Sequence, residues 1–251
     1  MVQRILMKWC LVAVITCSLL PLATSALTLS GSVTNIDGTP IYGAIVTVKD
    51  ATGLAESVYT NKKGKYRFAT RLEGDLEMRF RKRYHEDVSK SVASTKNEEV
   101  SINAALPVLT DPKALSDDHP ALSHFSLINF DSDEKALYSR GNFARDCLTC
   151  HQLGNSFTRW QRSAESWVPT VQRMHGYMAN ADEESIKQRS KMLAEAFVDG
   201  ALATSKPEIP VDPMIESAKV YQWPLEGAVV PHDAEYHPGN GRIYILSLIH
   251  I

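Results

Sequence analysis

The chain has 251 residues, 44% of them hydrophobic, and a formal net charge of −2. That is enough apolar material for more than one domain with a real core. The near-neutral balance leaves no footprint for nucleic acid, and the one local basic run, "RFRKRYH" at 79–85, reads as the solvated face of a strand.

The first segment reads as an export signal. Arg4 and Lys8 give a positive front, Trp9 to Leu22 form an apolar run, and "ATSA" supplies small residues before Leu27. This is the layout of a secretory signal peptide, residues 1–26, cut after Ala26. The run is short for a transmembrane helix, and Thr16 is a poor neighbour for lipid attachment at Cys17. The reading places the chain in the periplasm or outside the cell, with no membrane span after cleavage. Removing Cys10 and Cys17 with the signal leaves Cys147 and Cys150 as the cysteines of the exported chain.

Residues 27–106 alternate with period two in short runs: "LTLSGSVTN", "AIVTVKD", "ESVYT", "KYRFAT", "DLEMRFRKR", "VSKSVAS" and "EEVSINAAL". The turns "NIDGTP", "DATG", "NKKGK" and "LEGD" separate them, which predicts a seven-stranded antiparallel sandwich. Val46, Val48, Tyr66 and Phe68 should face inward, and Ser30, Thr47 and Arg67 outward. Gly31-x-Val33, Gly38-x-Pro40, Ala44, Val46 and Val48, then Thr60, Gly64, Tyr66 and Phe68 resemble the carboxypeptidase regulatory-like domain, a transthyretin-like sandwich. That resemblance implies an accessory scaffold; a carbohydrate-binding or adhesion role is the alternative.

Residues 107–131 mix Pro, Asp, Ser and His without period and read as a surface linker. His119 and His124 there are expected as exposed polar side chains, with His124 a minor ligand candidate if the linker folds back. Residues 132–202 read as helical. Ser132 is a plausible N-cap with Asp133 and Glu134 in the first turn, Gly141 should break that helix, and a further turn carries the cysteines. Ser163 opens the next helix, with Pro169 fitting only if the helix starts close to Val168. Trp167, Val171, Met174 and Met178 make one apolar stripe. A third helix runs from about Asp182 to Phe197, burying Ile186, Leu193 and Phe197, and Gly200 ends it.

Within this region stands "ARDCLTCHQLG", residues 144–154. A structural zinc site wants a second ligand pair, and a thioredoxin-like dithiol wants a βαβ context; neither is present in the sequence. Cys-x-x-Cys-His is the attachment sequence for c-type haem, with Cys147 and Cys150 as thioether anchors and His151 as proximal iron ligand. The reading is therefore one covalent haem c in an all-α cytochrome c-like domain. The longer string, Cys-x-x-Cys-His-Gln-x-Gly followed by Arg, Ser, Trp, Val and Arg-Met, resembles haem c domains fused to periplasmic propeller proteins. By that resemblance Met174 is the sixth iron ligand. Met178 and His175 are the alternatives, and by pattern alone Met174 reads more readily as core than as ligand.

Residues 203–245 read as a linker and the start of a β-propeller. "PHDAEYHPGNGRIYI" resembles the opening strand of streptogramin lyase-like (virginiamycin B lyase-like) propellers, which need several four-stranded blades. His232 and His237 are assigned no role. The last six residues, "LSLIHI" (246–251), read like translated library-adaptor sequence, so a natural chain would continue beyond 245. Two functional classes follow. One is an exported single-electron-transfer module serving a periplasmic redox partner or its own missing propeller. The other is the front of a periplasmic propeller enzyme, a lyase or oxidoreductase, with haem as accessory centre.

Overall fold

A computed structural model describes residues 26–93, 99–149, 151–178, 182–207, 210–225 and 231–247. The expected export signal up to Ser25, Cys150 and the tail from 248 onward lie outside the described residues.

The N-terminal strands are β1 (Leu27–Asn35), β2 (Ile45–Lys49), β3 (Ala55–Tyr59), β4 (Lys65–Thr70), β5 (Asp75–Arg81), β6 (Val88–Ala93), β7 (Glu99–Ser101) and β8 (Ala104–Leu106). Val46 and Val48 are fully buried, with Tyr66 and Phe68 nearly so, while Ser30, Thr47 and Arg67 keep solvent contact. The period-two reading of facing is thus correct. One sheet has β1 between β4 and β7, with β8 also paired to β1; the other runs β6-β5-β2-β3.

Two details differ from the expected antiparallel seven. The last run divides into β7 and β8, and both lie parallel to β1. The division falls at Ile102–Asn103, where the Asn103 side chain accepts from the Ser32 amide at 2.9 Å and the Tyr66 hydroxyl donates to the Ile102 carbonyl at 2.7 Å. Gly31 makes room for that crossing, since a Cβ there would stand 1.9 Å from the Ile102 carbonyl oxygen. The basic run begins at the end of β5, which lies between β6 and β2, and its arginines are exposed as expected of a solvated strand face: Arg79 pairs with Asp87 and Arg81 with Asp118.

The segment expected as a surface linker carries two short helices, α1 (Pro112–Asp117) and α2 (Ala121–Phe125), and buries Phe125 and Ile128 in a second core. Asp111 caps α1, and Pro112 suits its first position. His119 and His124 are buried rather than exposed, at 6% and 0% relative exposure.

The longer helices are α3 (Arg140–Cys147), α4 (Ala164–Tyr177) and α5 (Glu183–Ala196). Each begins at a side-chain cap, Ser139, Ser163 and Asp182, which accepts from the amide three residues on. The first differs from expectation. Residues 132–139 make turns, and Gly141 lies in the first turn of α3 instead of ending a helix. Ser139 is the better cap because Asn142 both donates to it and reaches back to the Ala136 carbonyl at 2.7 Å. Pro169 sits inside α4. The carbonyl it leaves unbonded belongs to exposed Glu165, where water can replace the lost partner. Phe143, Trp167, Phe197 and Leu193 anchor the core between these helices. No helix among the described residues is long and apolar enough to cross a membrane.

After a 3-10 turn (Pro213–Ser217) the chain returns to the sandwich. Strand β9 (Lys219–Gln222), part of the stretch read as a first propeller strand, pairs antiparallel with β3 as the fifth strand of that sheet. Lys219 donates to the Ala69 carbonyl at 2.8 Å and forms an ion pair with buried Glu56. Beyond it, β10 (Pro231–His237) and β11 (Arg242–Ser247) form an antiparallel hairpin. Tyr236, Ile243 and Tyr244 on it are exposed. Among the described residues there is no closed barrel or propeller.

Candidate functional site

Two of the concavities among the described residues are far larger than a side chain. One, of about 800 Å³, lies on the sandwich surface between β1, β4 and the 3-10 turn. Surface side chains such as Asn61, Lys65 and Arg67 line it, and the Tyr66 hydroxyl there is already donated. The chemistry-bearing residues gather in the other, a cavity of about 770 Å³ among α3, α4, α5 and the loop between α3 and α4. Its size is that of a small-molecule or cofactor site.

Residue Cys147 ends α3 and reaches the cavity wall. Burial pushes its thiol up to about 11, against a smaller downward pull from Arg189. A thiol protonated at neutral pH is a poor redox dithiol, which needs a lowered value. Cys150 lies outside the described residues, so its position relative to Cys147 is not part of this geometry. His151 follows at the cavity edge with its Nδ1 3.0 Å from the Gln152 carbonyl. A carbonyl can only accept, so Nδ1 carries the proton and Nε2 presents a bare lone pair.

The loop leaves this motif under tight constraint. Gly154 adopts φ +107°, and a Cβ there would come within 2.4 Å of the Ala121 carbonyl oxygen, so the backbone presses directly on α2. Buried Arg159 secures the loop from behind through Asp117 and the Gly154 carbonyl.

Helix α4 and its C-cap carry the three residues expected as candidates for the sixth ligand. Met174 is half-buried and lines the cavity; Met178, at the C-cap, lines it too but is 42% exposed. His175 is 3% exposed, and its Nε2 lies 3.0 Å from Arg189 Nη1. A guanidinium only donates, so this Nε2 accepts and Nδ1 holds the proton, buried without a partner. Burial and then the Arg189 charge hold His175 below its ordinary value. Its accepting nitrogen is committed to arginine.

Arg189 itself was not foreseen. It is 1% exposed, bonds Asp146 at 2.7 Å and lies over the Phe143 ring. Burial pushes the Asp146 carboxyl up, but hydrogen bonds from Arg145 and Arg189 outweigh it and keep the group ionised. The signal was available: Arg189 falls on the same stripe of α5 as Ile186 and Leu193, a charge on an apolar face.

The edge of the cavity carries unanswered donors. Trp167 is 2% exposed with its indole N–H unpartnered, and Arg162 stacks 3.7 Å above that ring with its own Nε buried and unpartnered. Burial, then the neighbouring Arg173 charge, lowers the Arg162 value, and no carboxylate pairs with Arg162 among the described residues. An apolar cavity, two guanidiniums and an indole donor at its edge, a thiol on its wall and a free imidazole nitrogen fit a flat apolar macrocycle that bears carboxylates and a metal. Those are the features of haem, and the residues present fit it.

Comparison with known proteins bears on the sandwich. Residues 28–107 match the model of the carboxypeptidase regulatory-like domain. No curated protein matches the chain. Among solved structures, 3-chlorocatechol 1,2-dioxygenase from Rhodococcus opacus 1CP is similar over 34% of this chain and 61% of its own, at 10% identity and TM-score 0.29. The Bacillus anthracis TIE protein is similar over 34% of this chain and 17% of its own, at 13% identity and TM-score 0.30. The chain thus spans less than two thirds of either relative, and likeness this distant carries nothing about activity.

Proposed function

We propose that residues 132–202 form a haem c electron-transfer module of an exported protein, carried on the carboxypeptidase regulatory-like sandwich. The observation that supports the reading is that Cys147 and His151, the two ends of the Cys-x-x-Cys-His sequence, both line a cavity of fitting size, with His151 Nδ1 turned to the Gln152 carbonyl. Cys147 and Cys150 hold the group by thioether bonds, and His151 Nε2 ligates the iron. Bound there, haem supplies a one-electron couple.

The remaining residues tune and enclose. Met174 is the preferred sixth ligand, because its thioether lines the cavity while the accepting nitrogen of His175 is held by Arg189; Met178 is the second choice. Arg162 and the Trp167 N–H take up the carboxylates. Methionine ligation raises the potential relative to two histidines. The electron partner is a periplasmic protein or a propeller continuing from β10 and β11. The enzyme reading, in which that propeller is a lyase or oxidoreductase, rests on the exposed hairpin, where Tyr236 and Ile243 face solvent.

The test is expression of the chain in cells competent for haem ligation. A pyridine haemochrome spectrum with two thioethers and a mass increase of one haem are expected. Polypeptide that matures without that addition overturns the reading. The red charge-transfer band of thioether-ligated ferric iron should vanish in Met174→Ala; its survival there passes the role to Met178.

A further inference from the structure

Between the sandwich and the helices lie the buried Nδ1 atoms of His119 and His124, which have no partner, and the buried Tyr84 hydroxyl, which the Arg83 side chain faces. His119 Nε2 lies 2.6 Å from the Ser205 carbonyl, and His124 Nε2 lies 2.8 Å from the Ser116 carbonyl. Both carbonyls can only accept. Each ring therefore has its proton on Nε2 and a bare lone pair on Nδ1. Backbone carbonyls that fix the tautomer and free the other nitrogen are the usual outer support of metal-ligating histidines.

The three groups are close neighbours. The two imidazoles stand 6.3 Å apart at 88°, and the Tyr84 ring is 5.2 Å from that of His119. Tyr84 holds φ +65°, which an aromatic residue rarely adopts. Its amide donates to the Asp118 carboxylate, and its carbonyl accepts from Leu109 at 2.9 Å. Backbone strain of this kind collects where a side chain must be aimed. Burial holds His124 below its ordinary value.

We propose that His119 Nδ1 and His124 Nδ1, with the Tyr84 oxygen, bind a divalent transition-metal ion of the zinc and copper class. Neutral imidazole suits those ions. On binding, the phenol proton leaves to solvent, so the metal gains two neutral donors and one anionic donor. No three His, Cys, Asp or Glu side chains gather anywhere among the described residues, and here the third donor is a phenol. The site lies directly behind the haem-attachment loop: a Cβ at Gly154 would be 3.1 Å from that of His124. A bound ion would brace that loop, although the proposal does not depend on haem.

The experiment uses the untagged full chain carrying Cys147→Ser and Cys150→Ser, which removes competing thiolates, stripped with chelator and titrated with zinc chloride in a calorimeter. One site with proton release is expected. His119→Ala and His124→Ala should each weaken it by about 10-fold or more, and His237→Ala should leave it unchanged. Circular dichroism checks the fold of each variant. Zinc-edge anomalous diffraction from the haem-loaded wild-type chain gives a reading free of substitutions, with a peak expected between His119 and His124. No binding, binding that survives loss of both histidines, or a plain water refined at that position in zinc-soaked crystals would overturn the proposal. A missing haem, seen by the haemochrome, would leave the calorimetric outcomes standing, since that chain carries none.

Discussion

The sandwich and the helical unit solve the problem of a core in opposite ways. The sandwich fills its interior with its own side chains: Leu29, Val33, Val46, Val48, Met78 and Phe80 are all at zero exposure. The helices close around Phe143, Trp167 and Phe197 yet leave a cavity of about 770 Å³, and bury Arg189, His175 and an unanswered indole N–H beside it. On the proposed reading, that cavity is where the haem sits.

That contrast can be broken experimentally. The largest effect should come from Cys147→Ser with Cys150→Ser: covalent haem should be lost completely, and hydrogen exchange should rise across α3–α5 while β1–β5 stay protected. Equal loosening of both regions would erase the distinction. Phe80→Ala should cost about 3–5 kcal/mol by cavity formation in the sandwich, with the haem spectrum unchanged; a spectral shift would show the two cores are coupled.

Arg189→Met should cost about 1.5–3 kcal/mol in the helical unit, because it removes the buried charged hydrogen bond to Asp146, which keeps only the exposed Arg145. The same pair sets an acid response. The Asp146 carboxyl lies below its ordinary 3.8 in the fold, so its contribution is complete above that value and is lost as pH falls through and below it. Thermal melts should show this loss in wild type and a shallower one in Asp146→Asn. Smallest, Ser139→Ala should cost about 1 kcal/mol through loss of the α3 cap, read by urea denaturation.

The sandwich was legible because its code is local. Val46 and Val48 alternate with Thr47 whatever lies around them, and the turn residues mark each strand end. What escaped was non-local. Splitting β7 from β8 depends on Gly31 meeting Ile102, some seventy residues away. The helix caps at Ser163 and Asp182 were readable, but Ser139 competed with Ser132, and only the Asn142 contacts decide between them. At the candidate site the motif Cys147–His151 was legible from spacing, whereas the Arg189–Asp146–His175 cluster joins three helices. His119 and His124 looked like linker polar residues because nothing in their neighbourhood reveals that Ser205 and Ser116 await their ring nitrogens.

The pairing of β9 with β3 makes the helical unit an excursion with both feet on the same platform. The chain departs after β8 and lands again at Lys219, so neither end can swing away without unzipping sheet hydrogen bonds. A polypeptide stitched in this manner cannot have its helical unit behave as a bead on a string.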